Sequence, residues 1–143
     1  MPTRKASARW EGGVPDGSGT MRLGSGAFEG AYSFQTRMED SPGTNPEELL
    51  GAAQAGCFSM FLAAVLGRAG HPPTSVDTDA AVQFEKEEAG WRVTRITLTT
   101  RAVVPGIDTA TFQEKVDDAK KNCPVSKALT GVDLTVDATL EGG

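Results

Sequence analysis

This sequence contains few histidines and cysteines and has no excess of positive charge. The single histidine, His71, precedes two prolines, and only two cysteines accompany it. One histidine and two distant cysteines make a poor ligand set, so we expect no metal site. With 14 Lys and Arg against 19 Asp and Glu, the formal net charge is −5. This balance argues against nucleic acid as a partner.

The N-terminal residues also lack the apolar stretch and small-residue cleavage site of a secretory signal. We therefore expect a cytoplasmic protein, in a compartment where two cysteines are more often reactive or buried than permanently joined. One uncharged run, 49–67, reaches the length of a membrane span. Its Gln54, its Ser59 and several Gly and Ala favour a buried helix of a soluble core, so no membrane is expected as a partner.

Turn residues and hydrophobic periodicity predict one α+β domain over residues 1–143, with a central buried helix. This helix is expected to begin at Pro46, after Asn45 as its cap, and to run to about Arg68. Alternating apolar residues predict strands, and Arg37 is placed at the end of the third. The predicted strands are 6–10, 20–23, 31–38, 76–85, 91–104 and 132–140, and further helical segments are predicted at 108–122 and 124–129.

Cys57 lies in the middle of the apolar helix. Burial there should raise the pKa of its thiol, so by itself Cys57 is more typical of an inert core cysteine than of a nucleophile. A cation nearby would change this. Arg37 is the candidate, because a guanidinium can bond both a thiolate and a carboxylate. A solvated arginine at the end of a strand is the plainer interpretation.

Cys123 has a different setting, because it precedes Pro124 and is predicted to cap a short helix. Backbone N–H groups at such a position stabilise a thiolate. Lys120, Lys121 and Lys127 add positive charge nearby. These features alone favour Cys123 as the cysteine more easily held as a thiolate, although a cysteine that merely fills a turn fits them equally well.

The segments around the two cysteines form a specific pattern. They read GTNPEEL at 43–49, AAQAGCFSM at 52–60 and NCPVS at 122–126, with FQTR at 34–37 and VPGID at 104–108. In this order they resemble the OsmC/Ohr family, and its OsmC branch more closely, over nearly the whole chain. The resemblance implies an OsmC-like fold, with antiparallel sheets around the long buried helix, and an intertwined homodimer with two active sites at its interface.

The resemblance also implies a peroxidase that reduces organic hydroperoxides, and hydrogen peroxide more weakly, without metal, haem or flavin. Cys57 matches the attacking cysteine and Cys123 the resolving one. Arg37 matches the arginine that activates the thiolate, and Glu47 the acid that holds this arginine. A sulfenic acid on Cys57 would condense with Cys123 into a disulfide, and a dithiol such as a lipoyl group would then restore both thiols.

The spacing of Glu47 and Cys57 bears on this arrangement. Ten residues separate them, which is about 15 Å along one helix. A single arginine does not easily bridge that gap, so Arg37 and Glu47 reach Cys57 more easily from another subunit. Two interpretations from other classes stay open: a peroxide-responsive redox sensor, and a structural stress protein with inert cysteines.

Overall fold

The computed structural model describes residues 1–141 and divides into two compact units, one up to Leu49 and one from Leu50 onward. The first unit contains β1 (Ala6–Glu11), β2 (Ser18–Leu23), β3 (Glu29–Tyr32), α1 (Phe34–Met38) and the start of α2 (Pro46–Arg68). Its strands form an antiparallel sheet in the order β1-β2-β3. Trp10 packs against Tyr32 on this sheet, with ring centroids 5.4 Å apart.

The predicted third strand, 31–38, is wrong over most of its length. Strand β3 ends at Tyr32, and the following residues form α1. The hydroxyl of Ser33 accepts a hydrogen bond from the Thr36 N–H, and the Thr36 hydroxyl accepts one from the Ser33 N–H. This reciprocal capping box satisfies N–H groups at the helix start and takes the chain out of the sheet. Arg37 therefore lies in the last turn of a short helix and not at the end of a strand.

Helix α2 has the bounds that the sequence predicts. Asn45 caps it by accepting a hydrogen bond from the Glu48 N–H at 2.8 Å, and Gly70, with φ of +87°, follows its end. In the single chain one side of α2 is buried and the other is exposed. The buried side carries Gln54, Phe58, Leu62, Val65 and Leu66, and the exposed side carries Ala52, Ala53, Gly56 and Met60.

The second unit continues with β4 (Ser75–Glu87), β5 (Gly90–Val103), α3 (Thr109–Asn122), α4 (Pro124–Ala128) and β6 (Asp133–Glu141). Strands β4 and β5 form an antiparallel hairpin. Strand β6 pairs with β5 in parallel, so the expectation of antiparallel pairing fails for this pair. Parallel neighbours need a long crossover connection, which α3 and α4 supply here.

A hydrophobic core joins α2, α3 and the β4-β5-β6 sheet within the second unit. It includes Phe58, Leu62, Leu66, Ile96, Leu98, Ala102, Phe112, Val116 and Ala119. By length and composition alone α2 is able to cross a membrane. Its buried side instead contributes Phe58, Leu62 and Leu66 to this core. Gln54 lies on the same buried side, and its side chain is bonded to Ser126 of α4.

Candidate active site

The two cysteines meet in the second unit, although 66 residues separate them in the chain. Their sulfur atoms lie 2.7 Å apart with a hydrogen bond between them, and both cysteines are free. Cys123 is fully buried, whereas Cys57 is partly exposed. At this separation the two thiols can share one proton, and a small movement would bring the sulfurs to the length of a disulfide bond.

The surroundings of Cys57 act on its thiol in opposite directions. Burial raises the pKa of Cys57, and the hydrogen bond and negative charge of Cys123 raise it further. The backbone N–H of Val125 lowers the pKa of Cys57 by donating a hydrogen bond to its sulfur. Two sulfurs this close disfavour a charge on both, so removal of one proton opposes removal of the second.

Cys123 occupies the N-cap position of α4 as predicted, but its side chain does not receive the expected hydrogen bond from the start of this helix. The Cys123 side chain makes no capping hydrogen bond. Val125, the second residue of α4, donates its N–H to Cys57 instead. The sequence shows that a helix begins after Cys123, but which of two nearby sulfurs the N–H group reaches depends on the tertiary fold.

Sequence analysis did not single out Gln54 as a site residue. Its side chain is 1% exposed, and its Nε2 donates to the Ser126 hydroxyl at 2.9 Å and faces the Cys123 sulfur at 3.9 Å. A signal for it does exist in the sequence. Gln54 is three residues before one cysteine and Ser126 is three residues after the other, so each polar side chain lies one helical turn from a thiol.

The other two predicted residues, Arg37 and Glu47, form an ion pair within the first unit. The Arg37 Nε donates to the Glu47 Oε1 at 2.5 Å. The Glu47 side chain is only 9% exposed, whereas the Arg37 side chain is 41% exposed. The loop between α1 and α2 holds them together, because the Asn45 side-chain amide donates to the Thr36 carbonyl. Within residues 1–141, Oε2 of Glu47 is the buried side-chain oxygen that lacks a hydrogen bond.

A family model described as "OsmC-like protein" matches residues 38–137 of the chain, a span that includes Glu47, Cys57 and Cys123. The chain belongs to the OsmC family. It is 47% identical over 139 residues to peroxiredoxin OsmC of Escherichia coli (strain K12), with 96% of each chain covered. The family resemblance of the sequence motifs is thereby confirmed, and its closer relation to the OsmC branch agrees with this identity.

Other members of the OsmC and Ohr group are also similar to this chain. The organic hydroperoxide resistance protein of Xanthomonas axonopodis pv. citri (strain 306) is 36% identical over 96 residues, 66% of each chain. The crystal structure of the organic hydroperoxide resistance protein OhrB of Bacillus subtilis aligns with a TM-score of 0.71 and 27% identity. It covers 96% of this chain and 98% of that one. The predicted α+β fold of the OsmC type is confirmed.

Proposed function

We propose that this member of the OsmC family is a thiol peroxidase for organic hydroperoxides, with Cys57 as the attacking and Cys123 as the resolving residue. The main support is the pair of free thiols with sulfur atoms 2.7 Å apart. Relatives named peroxiredoxin OsmC and organic hydroperoxide resistance protein support a peroxide-related role. We expect hydrogen peroxide to be a weaker substrate and the cytoplasm to be the site of action.

The assignment of attack to Cys57 is supported by exposure, because Cys57 is partly exposed and Cys123 is fully buried. The Cys57 thiolate attacks one oxygen of the hydroperoxide and breaks the O–O bond, and the other oxygen leaves as an alcohol after it takes a proton. Cys57 is thereby oxidised to a sulfenic acid. Cys123 then displaces the hydroxyl group as water and closes the disulfide, and a dithiol such as a lipoyl group reduces this disulfide back to two thiols.

The proposed role of Arg37 is to activate the Cys57 thiol, with Glu47 holding the guanidinium in place. Burial raises the pKa of Cys57, and a thiol in such surroundings needs a positive partner to ionise near neutral pH. Arg37 is always charged and has several N–H donors in a rigid fork. One of them is paired with Glu47, and this ion pair fixes the orientation of the guanidinium.

We further propose an intertwined homodimer in which Arg37 and Glu47 act on Cys57 of the other subunit. Helix α2 is unbroken from Pro46 to Arg68, so Glu47 and Cys57 are separated by about 15 Å along its axis. The exposed apolar side of α2 supports such an association. It includes Met60, which is 80% exposed, and an apolar helix side of this kind is typical of an interaction surface.

Steady-state consumption of cumene hydroperoxide with dihydrolipoamide as reductant tests the proposed activity. The wild-type protein should turn over many equivalents, and faster than with thioredoxin or glutathione as reductant. Cys57→Ser should lower the rate at least about a thousandfold, because the nucleophile is removed. In the Cys123→Ser variant, hydroperoxide should still oxidise Cys57. The disulfide through which the dithiol recycles the enzyme should not form.

The same assay separates the alternatives. A redox sensor would consume about one equivalent of hydroperoxide per chain and then stop, even with the dithiol present. A structural protein with inert cysteines would consume none, and an alkylating agent would label both of its thiols slowly at neutral pH. Peroxide consumption that persists in Cys57→Ser would contradict the assignment of the attacking residue.

A further inference from the structure

Gln54 is a polar side chain on the buried side of an apolar helix. It is 1% exposed, and Phe58 and Leu62 follow it on the same side of α2. A primary amide costs free energy to bury unless its N–H and C=O groups are hydrogen-bonded. Its observed partners are Ser126 and Cys123, both at or next to α4. Within residues 1–141, the side-chain hydrogen bonds of Gln54 therefore go to groups that carry or adjoin the buried cysteine.

We propose that Gln54 is a positioning residue that holds Cys123 against Cys57 and thereby sets the rate of disulfide formation. This inference rests on the proposed peroxidase function, and it adds a residue to the resolving step of that reaction. Gln54 acts through its hydrogen bond to Ser126 and its N–H group beside the Cys123 sulfur.

The geometry puts this hydrogen bond one helical turn from the pair of sulfur atoms. Gln54 precedes Cys57 by three residues on α2, and Ser126 follows Cys123 by three residues on α4. The 2.9 Å bond between their side chains therefore joins the two helices beside the thiols. It joins side chains 72 residues apart in the chain, so it fixes the distance between these two helices locally.

Helix α4 depends on such a bond because it contains only five residues. A helix of this length has little stability of its own, and tertiary contacts decide where it lies. Its position determines two features of the site at once: the place of the Cys123 sulfur and the direction of the Val125 N–H that donates to Cys57. Loss of the Gln54–Ser126 bond should therefore loosen the resolving side of the site.

The amide also suits the chemistry of the resolving step. The S–O bond of the Cys57 sulfenic acid breaks and the S–S bond forms, so Cys123 is oxidised and the sulfenic sulfur is reduced. The proton of the Cys123 thiol leaves with the hydroxyl group as water. Negative charge develops on the Cys123 sulfur as this proton departs, and the Gln54 Nε2, a hydrogen-bond donor 3.9 Å from this sulfur, stabilises that charge.

Gln54→Met tests the inference, because methionine is unbranched and similar in length but has no N–H donor. The reduced protein is mixed with one equivalent of cumene hydroperoxide and quenched, and sulfenic acid and disulfide are counted by mass spectrometry. We expect disulfide formation to slow by about tenfold or more, since a displacement of 1 Å at a reacting atom can cost about a hundredfold. Sulfenic acid should accumulate and, with excess hydroperoxide, proceed to sulfinic acid.

Two further variants make the result specific. Ser126→Ala removes the acceptor of the same bond, so the double variant should be no slower than the slower single variant. Gln113→Met is the matched control, because the Gln113 amide donates to the Ala138 carbonyl in the same unit, away from both cysteines. It should form the disulfide at the wild-type rate. The urea midpoint of unfolding is measured for each variant.

A purely structural Gln54 would lower the urea midpoint while the rate of disulfide formation stays at the value of Gln113→Met, and that result overturns the inference. Failure of the proposed function looks different, because the wild-type protein itself would then form no sulfenic acid with hydroperoxide. In that event diamide, which oxidises a thiol pair without peroxide, provides the same comparison. Equal diamide rates in Gln54→Met and the wild type would equally overturn the positioning role.

Discussion

At the residue scale, the thiol of Cys57 is governed by its closest neighbours. Cys123 raises the pKa of Cys57 through a hydrogen bond and through charge, in addition to the effect of burial, whereas the Val125 N–H lowers it. Because the two sulfurs are only 2.7 Å apart, a change at Cys123 should alter the ionisation of Cys57 directly. A pH titration can measure whether such a change raises or lowers the pKa of Cys57.

Cys123→Ala should lower the pKa of Cys57. The substitution removes two causes that raise this pKa and leaves the hydrogen bond from Val125, which lowers it. The thiolate should therefore form at lower pH, and the midpoint of the pH profile for alkylation of Cys57 should shift to more acidic values. Iodoacetamide labelling of Cys57, followed by mass spectrometry across a pH series, measures this midpoint. A midpoint that stays in place or moves to higher pH would contradict the prediction.

Sequence motifs could nominate four candidate site residues but not predict how their side chains interact. The surroundings of Cys123 favoured that residue as the one stabilised by the start of a helix, because helix signals are local. The N–H of Val125 donates to Cys57 instead, since the sulfur that lies in front of it belongs to α2, 66 residues before Cys123 in the chain. Gln54 escaped notice for the same reason, because a glutamine in an apolar helix says nothing about a serine 72 residues further on.

At the scale of elements, the first turn of α3 depends on one carboxylate. Asp108 caps this helix by accepting hydrogen bonds from the Thr111 N–H at 2.7 Å and from the Thr111 hydroxyl at 2.9 Å. These bonds lower the pKa of Asp108 below its ordinary value of 3.8, the backbone bond most strongly. A carboxyl group whose pKa is lower in the folded state stabilises that state above its unfolded pKa, and the stabilisation is lost as the pH falls through the folded pKa.

Asp108→Asn should therefore lower the melting temperature at pH 7 and converge with the wild type in acid, below pH 3.8. The carboxylate is a better acceptor than the neutral amide, and acid removes that advantage by protonating it. Thermal unfolding followed by circular dichroism at a series of pH values measures the difference. Asp117→Asn makes the same charge change in the interior of α3 and serves as the control. A difference in melting temperature that does not depend on pH would refute the explanation.

Elements with strong local signals were predictable, whereas their pairing was not. The ends of α2 were given by Asn45, Pro46 and Gly70, whose conformational preferences act within one turn of the chain. The parallel pairing of β6 with β5 depends instead on where α3 and α4 return the chain, which alternation of apolar residues does not encode. The alternation of Tyr32 and Phe34 with polar residues predicts a strand over 31–38, but the Ser33 and Thr36 hydroxyls favour a helix start.

At the scale of the whole molecule, the exposed apolar side of α2 is unusual for a helix at the centre of a domain. A Cβ atom added to Gly56 would meet no heavy atom within 4 Å apart from its chain neighbours and the nearby backbone of its own helix, and Met60 is 80% exposed. Small and apolar residues on one open side allow close approach of a second surface and favour its burial. The uncharged run 49–67 predicted a buried helix, but it did not indicate that one chain alone covers only one side of it.

The proposed dimer makes opposite predictions for two kinds of mixed dimer. If Arg37 and Glu47 act across the interface, a dimer of a Glu47→Ala chain with a Cys57→Ser chain retains one intact site, because the unchanged Glu47 and the unchanged Cys57 meet. It should therefore show about half of the wild-type hydroperoxide consumption. A dimer of a doubly substituted chain with a wild-type chain has one site without the nucleophile and one without the acid, so its activity should be far lower. Two affinity tags and sequential purification isolate each mixed dimer. If both residues act within one chain, the two activities are reversed, and if no doubly tagged species is recovered, the protein does not form the dimer that the shared site requires.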